Sequence, residues 1–486
     1  MSFREFPEDF LWGTATASFQ IEMGLGEPST ESDWWVWIHD RENIKRGNAS
    51  GFYPEDGPGF WELYKEDLSR ARIQLGNNAI RLSVDWPRIF PTPTLNVKVD
   101  VTTDECGNIV GVQVDEEAIQ KLGYIAREDV VERYRDILAE AGHLGLEVFL
   151  TLYHWPLPIW LHDPLECRDN VEASKRRGWL DQKTIVEFAK YAAYAAYSFG
   201  DLVDLYGTIN EAPIISKYGY LHETVHFPPG LNDLELFLQV YKNLAIAHQV
   251  GYQQVKAWDK ESVTDLGPAT VGVVTVLEQY DPADPNNVKD VAAADFNSYL
   301  WNEWSLNAIV NGDFDMNLNR IIDPEEHLIQ TIHGCDFIGV DYYLRETVRH
   351  SEKLGDPRLD FEFIQSKGLT SDMGWEIYPQ GLRNVLTWAH KKYRLPMYIT
   401  ENGVADVEDK LRVKYLVSHL EQVHAAIVED FVPVKGYFYW SLTDNFSWFS
   451  GYKPKFGLFS VDMETKERRA TKAVSVYKEI ASTNRL

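Results

Sequence analysis

Eight short apolar runs, rich in β-branched and aromatic residues, recur along the chain and alternate with stretches whose apolar residues have helical spacing. This alternation predicts parallel strands, because the helices between them supply the crossovers that parallel pairing needs. Eight strands also close a (β/α)8 barrel. A doubly wound open sheet is disfavoured, since no glycine-rich phosphate loop follows an early strand. The predicted strands cover residues 11–22, 78–86, 147–155, 202–211, 270–278, 335–343, 396–403 and 434–442.

No linker or low-complexity segment divides the sequence. We therefore predict an α/β protein with a single domain over residues 1–486, a (β/α)8 TIM barrel with long strand-to-helix insertions. Residues 95–114 alternate apolar and polar around a Cys-Gly-Asn turn and predict a β-hairpin, while residues 164–178 predict a polar surface loop. Both follow strands and are expected on the active-site face of the barrel, with surface decoration or a subunit contact as the alternative.

The charge balance limits the possible partners. With 47 basic and 74 acidic residues the net charge is −27, which disfavours nucleic acid and anionic membranes. The three cysteines are far apart and show no CxxC spacing, so neither a zinc site nor a disulfide framework is indicated. The N-terminal MSFREFPEDFLWG carries charges where a signal peptide needs an apolar core. These features predict a cytoplasmic protein.

Polar and aromatic side chains stand at the ends of the predicted strands: Arg81 and Trp86, His154 and Trp155, Asn210 and Glu211, Asp341 with Tyr342 and Tyr343, Glu401 and Asn402, and Trp440. Each alone has an ordinary explanation, such as a solvated strand-end charge or a helix cap. In a closed barrel, however, these ends converge on one mouth. Their joint placement therefore favours one functional pocket.

Two glutamates in one pocket with aromatic residues indicate glycoside chemistry. Cleavage of an acetal needs an acid that protonates the leaving oxygen and a second carboxylate at the anomeric carbon. A separation of about 5–5.5 Å retains the configuration, whereas about 6.5–9.5 Å admits water and inverts it. The sequence does not give this distance. A metal-dependent barrel hydrolase is a weaker alternative, because only His154 offers a strand-end histidine ligand.

The chain resembles glycoside hydrolase family 1, the β-glucosidase, β-galactosidase and β-mannosidase group, over nearly its whole length. In chain order the motifs are FPEDFLWGTATASFQIE, NAIRLSVDWPRIFP, LYHWPLPIWL, TINEAP, DFIGVDYY, SDMGWEIYPQGL, YITENG and GYFYWSLTDNFSW followed by GYKPKFGL. The insertions are most similar to the branch from heat-loving archaea. The resemblance implies a retaining exo-β-glycosidase that acts on a small-molecule glycoside without metal or cofactor. It also implies a homo-oligomer, a dimer or a tetramer.

The resemblance implies a role for each matching residue. Glu401 corresponds to the nucleophile and Glu211 to the acid/base. Arg81 and Tyr343 match groups that contact the nucleophile, and Asn210 matches the group that binds the sugar 2-hydroxyl. The remaining residues match the substrate pocket: Gln20, His154 and Trp448 for the 3- and 4-hydroxyls, Trp440 for the stacking floor, Trp375 for the leaving-group side, and Trp155 and Ser447 within the same pocket.

Two departures from the family pattern leave alternatives open. Asp341 stands where the family usually has asparagine, so it is expected to be protonated, paired with Arg81, or turned away. Ser447 stands where β-glucosidases have a glutamate that binds the 4- and 6-hydroxyls. Serine there is also seen in 6-phospho-β-glycosidases, and Lys453 and Lys455 lie nearby. The alternatives are thus a 6-phospho-β-glycosidase, a hydrolase of 6-substituted glycosides, or a non-hydrolytic carbohydrate-binding barrel.

Overall fold

The structure, a computed structural model, describes residues 4–221, 226–264, 267–327, 334–352 and 359–486. Its strands, numbered along the chain, are β1 (Leu11–Ala15), β2 (Ala79–Ser83), β3 (Asp100–Thr103), β4 (Ile109–Gln113), β5 (Glu147–Tyr153), β6 (Leu205–Asn210), β7 (Thr270–Val276), β8 (Gln279–Pro282), β9 (Phe337–Asp341), β10 (Arg345–His350), β11 (Phe361–Ile364), β12 (Met397–Asn402), β13 (Val434–Trp440), β14 (Phe459–Val461) and β15 (Arg468–Ala470).

Eight parallel strands form a closed barrel in the order β1-β13-β12-β9-β7-β6-β5-β2, which closes where β1 pairs with β2. The predicted (β/α)8 architecture is confirmed, and each predicted strand contains one barrel strand. The first strand, predicted over residues 11–22, is shorter in the structure. Strand β1 ends at Ala15, the last residue that pairs with both neighbouring strands, and Ser18–Ile21 form a short helix.

Helices surround the barrel and connect its strands. They are α1 (Ser18–Ile21), α2 (Asp33–His39), α3 (Arg41–Arg46), α4 (Phe60–Ser69), α5 (Trp86–Ile89), α6 (Glu116–Ile125), α7 (Glu128–His143), α8 (Pro164–Asn170), α9 (Gln182–Phe199), α10 (Ala212–Tyr220), α11 (Leu234–Trp258), α12 (Val288–Ser298), α13 (Trp304–Leu306), α14 (Pro379–Tyr393), α15 (Arg412–Val428) and α16 (Ala473–Thr483). No helix in the described part of the chain combines the length and apolar character needed to cross a membrane.

Each of the two insertions differs from its prediction in one respect. The hairpin is confirmed as the antiparallel pair β3–β4, but it packs on the helix layer, where Gln254 of α11 donates to the Val112 carbonyl at 2.6 Å. The predicted loop 164–178 contains helix α8, because Asp163 accepts hydrogen bonds from the Leu165 and Glu166 amides at its start. Neither insertion contributes a described residue to the pocket analysed below.

Aromatic side chains fill the inside of the barrel. Phe149, Phe337, Tyr398 and Phe438 are buried there, and Phe149 meets Phe337 and Phe438 edge to face with ring centroids 5.5 and 5.8 Å apart. The Arg81 guanidinium lies 5.6 Å from the centroid of the Phe149 ring. The packed interior is therefore the floor on which the charged groups of the mouth rest.

We expect Phe149→Ala to destabilise the protein by about 3–5 kcal/mol, since the lost aromatic ring leaves a cavity inside a closed barrel that cannot collapse freely. Denaturant unfolding measures the change. Tyr124→Ala is the matched control, because the Tyr124 side chain is 90% exposed and its loss should change stability by less than about 0.5 kcal/mol. Equal effects for the two variants would contradict the assignment of Phe149 to the core.

Candidate active site

A cavity of about 280 Å³ opens at the carboxyl ends of the barrel strands. Most of the residues predicted from the sequence line it: Gln20, His154, Trp155, Glu211, Tyr343, Trp375, Glu401, Trp440, Ser447 and Trp448. Arg81 and Asn210 lie directly behind this lining and are fully buried. The structure thus brings all twelve predicted site residues together at one mouth.

Glu401, near the end of β12, has both carboxylate oxygens occupied. Arg81 Nη1 donates to Oε1 at 2.6 Å and the Tyr343 hydroxyl donates to Oε2 at 2.6 Å. Burial raises the pKa of Glu401, while the Arg81 charge and the two hydrogen bonds oppose that rise. Of the two predicted catalytic glutamates, Glu401 is therefore the one that the protein better stabilises as an anion.

Arg81, on β2, is held from several directions by residues of β5, β6 and β12. Its Nε donates to Thr151 Oγ1 at 3.0 Å, its Nη2 to Asn210 Oδ1 at 2.5 Å, and its Nη1 also to the Thr400 carbonyl at 3.2 Å. With no exposed surface and these fixed partners, the guanidinium has one orientation, towards Glu401. Asn210 in turn lies between Arg81 and His154, whose Nε2 is 3.4 Å from the Asn210 amide nitrogen.

Glu211 has the opposite environment. It follows β6 as the N-cap residue of α10, with a left-handed backbone (φ 47°). Its carboxyl group lines the cavity and makes no hydrogen bond or ion pair with another described residue. Burial, followed by the charges of Asp341 and Glu401, raises the pKa of Glu211 well above its usual value. Glu211 is therefore stabilised as a neutral acid, and its left-handed backbone is typical of residues held under strain at functional sites.

A third carboxyl group, Asp341, lies beside these two. Oxygens of Glu211, Asp341 and Glu401 all lie within 4.8 Å of one another. Asp341 is fully buried; Thr400 Oγ1 donates to its Oδ1 at 2.6 Å, and Arg81 Nη1 is 3.8 Å away. Burial and the Glu401 charge raise the pKa of Asp341 well above its usual value. Of the three expected states, the raised pKa favours a protonated Asp341, whose Oδ1 lies 3.8 Å from Arg81 Nη1.

These three carboxyl groups are also a candidate set of metal ligands. The donor set fits a cation poorly, because Arg81 already supplies a positive charge to Glu401 and Asp341. Both Glu401 oxygens accept short hydrogen bonds, so a metal would have to displace Arg81 or Tyr343. The arrangement therefore fits an Arg81–Glu401 ion pair beside two further carboxyl groups better than a metal centre.

One end of the cavity offers unused polar atoms beside flat rings. Gln20 Oε1 and His154 Nδ1 are buried without a hydrogen-bond partner among the described residues. Burial lowers the pKa of His154 well below its usual value, so the ring is neutral. Its plane lies 8° from that of Trp440, and Trp448 packs nearby. Buried polar atoms are rarely left unpaired, so these two indicate a hydroxyl-bearing ligand.

The opposite end contains charged residues that the sequence analysis missed. Lys217, Glu278 and Glu346 line the cavity there. Glu278 is the last residue of the predicted fifth strand, so the strand-end rule could have found it. Lys217 lies within α10 and Glu346 on β10, and neither position carries a comparable signal.

The lysines that suggested a phosphate site lie elsewhere. Lys453 is exposed, and Lys455 pairs with Asp444 at 3.5 Å. Neither is among the described residues that line the cavity, whereas Phe456, directly after Lys455, is. Ser447 faces the cavity without a nearby cation from this segment, so the geometry does not support a phosphate-binding role here.

Comparisons with known proteins agree with this geometry. The profile of glycosyl hydrolase family 1 matches residues 2–99 and 122–486, which leaves out the whole β3–β4 hairpin. A β-galactosidase of Pyrococcus woesei is 40% identical over 99% of this chain and 97% of its own. A β-galactosidase of Saccharolobus solfataricus is 38% identical over 98% and 95%. The solved β-glycosidase of Thermosphaera aggregans has a TM-score of 0.90 at 36% identity, covering 99% of this chain and 97% of that one.

We expect Arg81→Met to destabilise the protein by about 3–5 kcal/mol at neutral pH, because Glu401 loses its buried counter-ion. Without Arg81 the pKa of Glu401 rises further above its unfolded value. A carboxyl group with a raised folded pKa destabilises the fold above its unfolded pKa, so the loss should shrink as the pH falls and Glu401 takes up a proton.

Denaturant unfolding at two pH values checks this expectation. Arg46→Met is the control, because Arg46 pairs with Glu42 on the surface and that pair contributes only about 0.3–0.5 kcal/mol. A loss for Arg81→Met that grows towards acid pH would contradict the proposed charge pairing.

Proposed function

Because the chain belongs to glycosyl hydrolase family 1 and is a glycoside hydrolase, we propose that it is a retaining exo-β-glycosidase of small glycosides. In this proposal Glu401 is the nucleophile and Glu211 the acid/base. The residues that support them are Arg81, Tyr343 and Asn210.

The observation that carries the proposal is the pairing of two carboxyl groups in opposite environments. Oxygens of Glu211 and Glu401 lie within 4.8 Å of each other, which fits direct attack and falls short of the about 6.5–9.5 Å spacing of an inverting pair. Glu401 accepts two short hydrogen bonds, while the Glu211 carboxyl group has no partner among the described residues. One group is thus held as an anion and the other as an acid.

In the first step Glu211 gives its proton to the leaving-group oxygen while Glu401 attacks the anomeric carbon. The glycosidic bond breaks and a glycosyl ester forms on Glu401. Arg81 and Tyr343 keep the Glu401 oxygens aimed and charged until the attack. The buried site strengthens these interactions, because water does not screen them.

In the second step Glu211, now an anion, takes a proton from water, which attacks the anomeric carbon and releases Glu401. Esterification removes the negative charge of Glu401. Since that charge raises the pKa of Glu211, the pKa falls once the ester has formed, and Glu211 changes from an acid into a base. The α10 N-terminus beside Glu211 also favours its anionic form at this stage.

Sugar recognition is proposed for the end of the cavity that contains Gln20, His154 and Trp448, with Trp440 below the ring. The unpartnered Gln20 and His154 atoms can bind hydroxyl groups. Trp448 packs against Trp34 with centroids 4.4 Å apart, which supports a closed end and hence exo action. Ser447 replaces a carboxylate grip on the 4- and 6-hydroxyls, so this subsite leaves room around the 6-position. That the protein forms a homo-oligomer, a dimer or a tetramer, stays a prediction. Measurement of the molecular mass in solution tests it.

Glu401→Gly should reduce kcat for a 4-nitrophenyl β-glycoside by roughly a thousandfold or more, because the attacking carboxylate is absent. Azide fits the space left by the side chain and should restore turnover in part, giving a glycosyl azide of inverted configuration. Product analysis by NMR and release of nitrophenol measure both effects.

Glu401→Gln is the matched control. It removes the charge but leaves no space for azide, so it should be equally slow and should not be rescued. Parent-like activity of Glu401→Gly, or azide rescue of both variants, would exclude Glu401 as the nucleophile.

Asp341→Asn should move the alkaline limb of the kcat/KM profile to lower pH. Glu211 acts as an acid only while protonated, so activity falls as the pH rises through its pKa. As the pH rises Asp341 loses its proton before Glu211 does, because besides burial only the Glu401 charge opposes its ionisation, whereas the charges of both Asp341 and Glu401 oppose that of Glu211. The ionised Asp341 then raises the pKa of Glu211, and asparagine removes this effect while burial and Glu401 keep the pKa above its ordinary value.

The pH profile of kcat/KM is measured with an aryl glycoside whose leaving group needs protonation in order to depart. Asp295→Asn, a change at an exposed surface pair with Arg320, is the control and should leave the profile in place. A shift of the alkaline limb to higher pH would show that Asp341 does not oppose ionisation of Glu211.

A further inference from the structure

Asp341 is a buried carboxyl group that takes no part in the two proposed catalytic steps. It lies on β9, beside Glu401 of β12 on one side and Val276 of β7 on the other. Its side chain has no exposed surface and is not among the described groups that line the cavity. Any part that Asp341 plays in the reaction therefore passes through its neighbours.

The titratable groups that face Asp341 come from four elements of the barrel. They are Arg81 of β2, Glu401 of β12, Glu211 beyond β6 and Tyr343 beyond β9. The Tyr343 hydroxyl keeps its proton, since burial and the neighbouring carboxyl groups raise its pKa well above the usual value. The charge around Asp341 is thus set by one guanidinium and two glutamates.

The Arg81 guanidinium contacts one anion and has a second carboxyl group close by. Its Nη1 lies 2.6 Å from Glu401 Oε1 and 3.8 Å from Asp341 Oδ1. Thr400 connects the two sides, because its carbonyl accepts from Arg81 Nη1 and its hydroxyl donates to Asp341 Oδ1 at 2.6 Å. Asp341 Oδ2 has no hydrogen-bond partner among the described residues. The site therefore offers a donor to the ionised form of Asp341, and no described group accepts the proton of its neutral form.

Esterification of Glu401 removes the anion that compensates Arg81. The guanidinium is fully buried and keeps its proton, so it would stay in the glycosyl-enzyme as a buried charge without a contacting anion. A buried charge that has lost its partner is strongly unfavourable. Glu211 makes no ion pair with Arg81 in the described structure, whereas Asp341 lies at ion-pair distance. Asp341 is therefore the group placed to supply the missing negative charge.

The proton of Asp341 has an acceptor at this stage. Glu211 has just given its own proton to the leaving group, and oxygens of Glu211 and Asp341 lie within 4.8 Å of each other. One water molecule that hydrogen-bonds to both can bridge such a span. The Glu401 charge, which together with burial raises the pKa of Asp341, is then absent. Transfer of the proton keeps the net charge of Arg81 and the three carboxyl groups at zero.

We propose that Asp341 replaces Glu401 as the counter-ion of Arg81 while Glu401 carries the sugar, and that the proton of Asp341 then rests on Glu211. The inference rests on the proposed function, since it needs the glycosyl ester on Glu401. It makes Asp341 a positioning residue that acts through Arg81.

The second step must return this proton to Asp341. Glu211 has to be free to accept a proton from water, and Glu401 regains a negative charge that Arg81 must again compensate. The ion pair between Arg81 and Asp341 is thus present in the glycosyl-enzyme and lost in the transition state of its hydrolysis. An interaction of this kind slows the step in which it is lost. Asp341 therefore prolongs the life of the glycosyl-enzyme.

The test uses the ester formed with 2,4-dinitrophenyl 2-deoxy-2-fluoro-β-glucoside. The fluorine slows hydrolysis of the ester, and the leaving group departs without a proton, so the surplus proton passes to solvent. Mass spectrometry of peptides locates the sugar on Glu401. Infrared difference spectra of trapped and free parent enzyme should show the loss of a carboxylic-acid band that shifts when the aspartates carry ¹³C. Asp341→Asn should lack this ¹³C-sensitive band.

Hydrolysis of the trapped ester should be about tenfold faster in Asp341→Asn than in the parent, as expected for the loss of one charge-assisted contact from the glycosyl-enzyme. Thr400→Val removes the donor to ionised Asp341 but keeps the carbonyl that accepts from Arg81. It should accelerate hydrolysis as well, by a smaller factor. The return of activity after removal of excess reagent measures each rate.

Asp67→Asn is the matched control. Asp67 is as buried as Asp341 and pairs with Arg468 at 2.7 Å, but it lies on helix α4 outside the barrel, so its loss should change neither the band nor the rate. Trapping of the parent without loss of a ¹³C-sensitive acid band, or an equal or slower hydrolysis in Asp341→Asn, would overturn the inference. Absence of an ester on Glu401 in the parent would instead refute the proposed function, and the inference with it.

Discussion

The ion pair between Arg81 and Glu401 is the interaction on which the site depends. A carboxylate as buried as Glu401 is very unfavourable alone, and Arg81 compensates it at 2.6 Å. The charge held in this way then acts on its surroundings, because it raises the pKa of both Glu211 and Asp341. Burial, together with this one anion and the cation that stabilises it, thus keeps protons on two neighbouring carboxyl groups.

The barrel provides the geometry that such a pair needs. Arg81 on β2 and Glu401 on β12 are separated in the sheet by β1 and β13, so their side chains meet across the barrel rather than along one pair of strands. Phe149 and its aromatic neighbours fill the space below them. Because the sheet is closed, every strand that carries a site residue is hydrogen-bonded on both sides, and the charged groups cannot drift apart without breaking the barrel.

Much of this could be predicted from the sequence, because strand ends in a parallel barrel converge whatever the loops do. That rule locates Arg81, Glu211 and Glu401 at one mouth. It does not locate Glu346, whose position depends on the pairing of β10 with β8 and β11, short strands with weak sequence patterns. Nor does it give the place of the β3–β4 hairpin, since a loop can leave the active-site face and pack on helices instead.

Helix α10 carries Glu211, the proposed acid/base, at its N-cap and, within its next two turns, Ile214, Lys217 and Tyr218, which line the proposed leaving-group side of the cavity. Any substitution that tilts this helix changes proton delivery and leaving-group contacts at once. An evolving lineage is therefore constrained along α10, whereas β10 and β11 carry no proton-transferring residue and can diversify. Substrate range in descendants of this protein should drift through that separate sheet while the reaction itself is inherited intact.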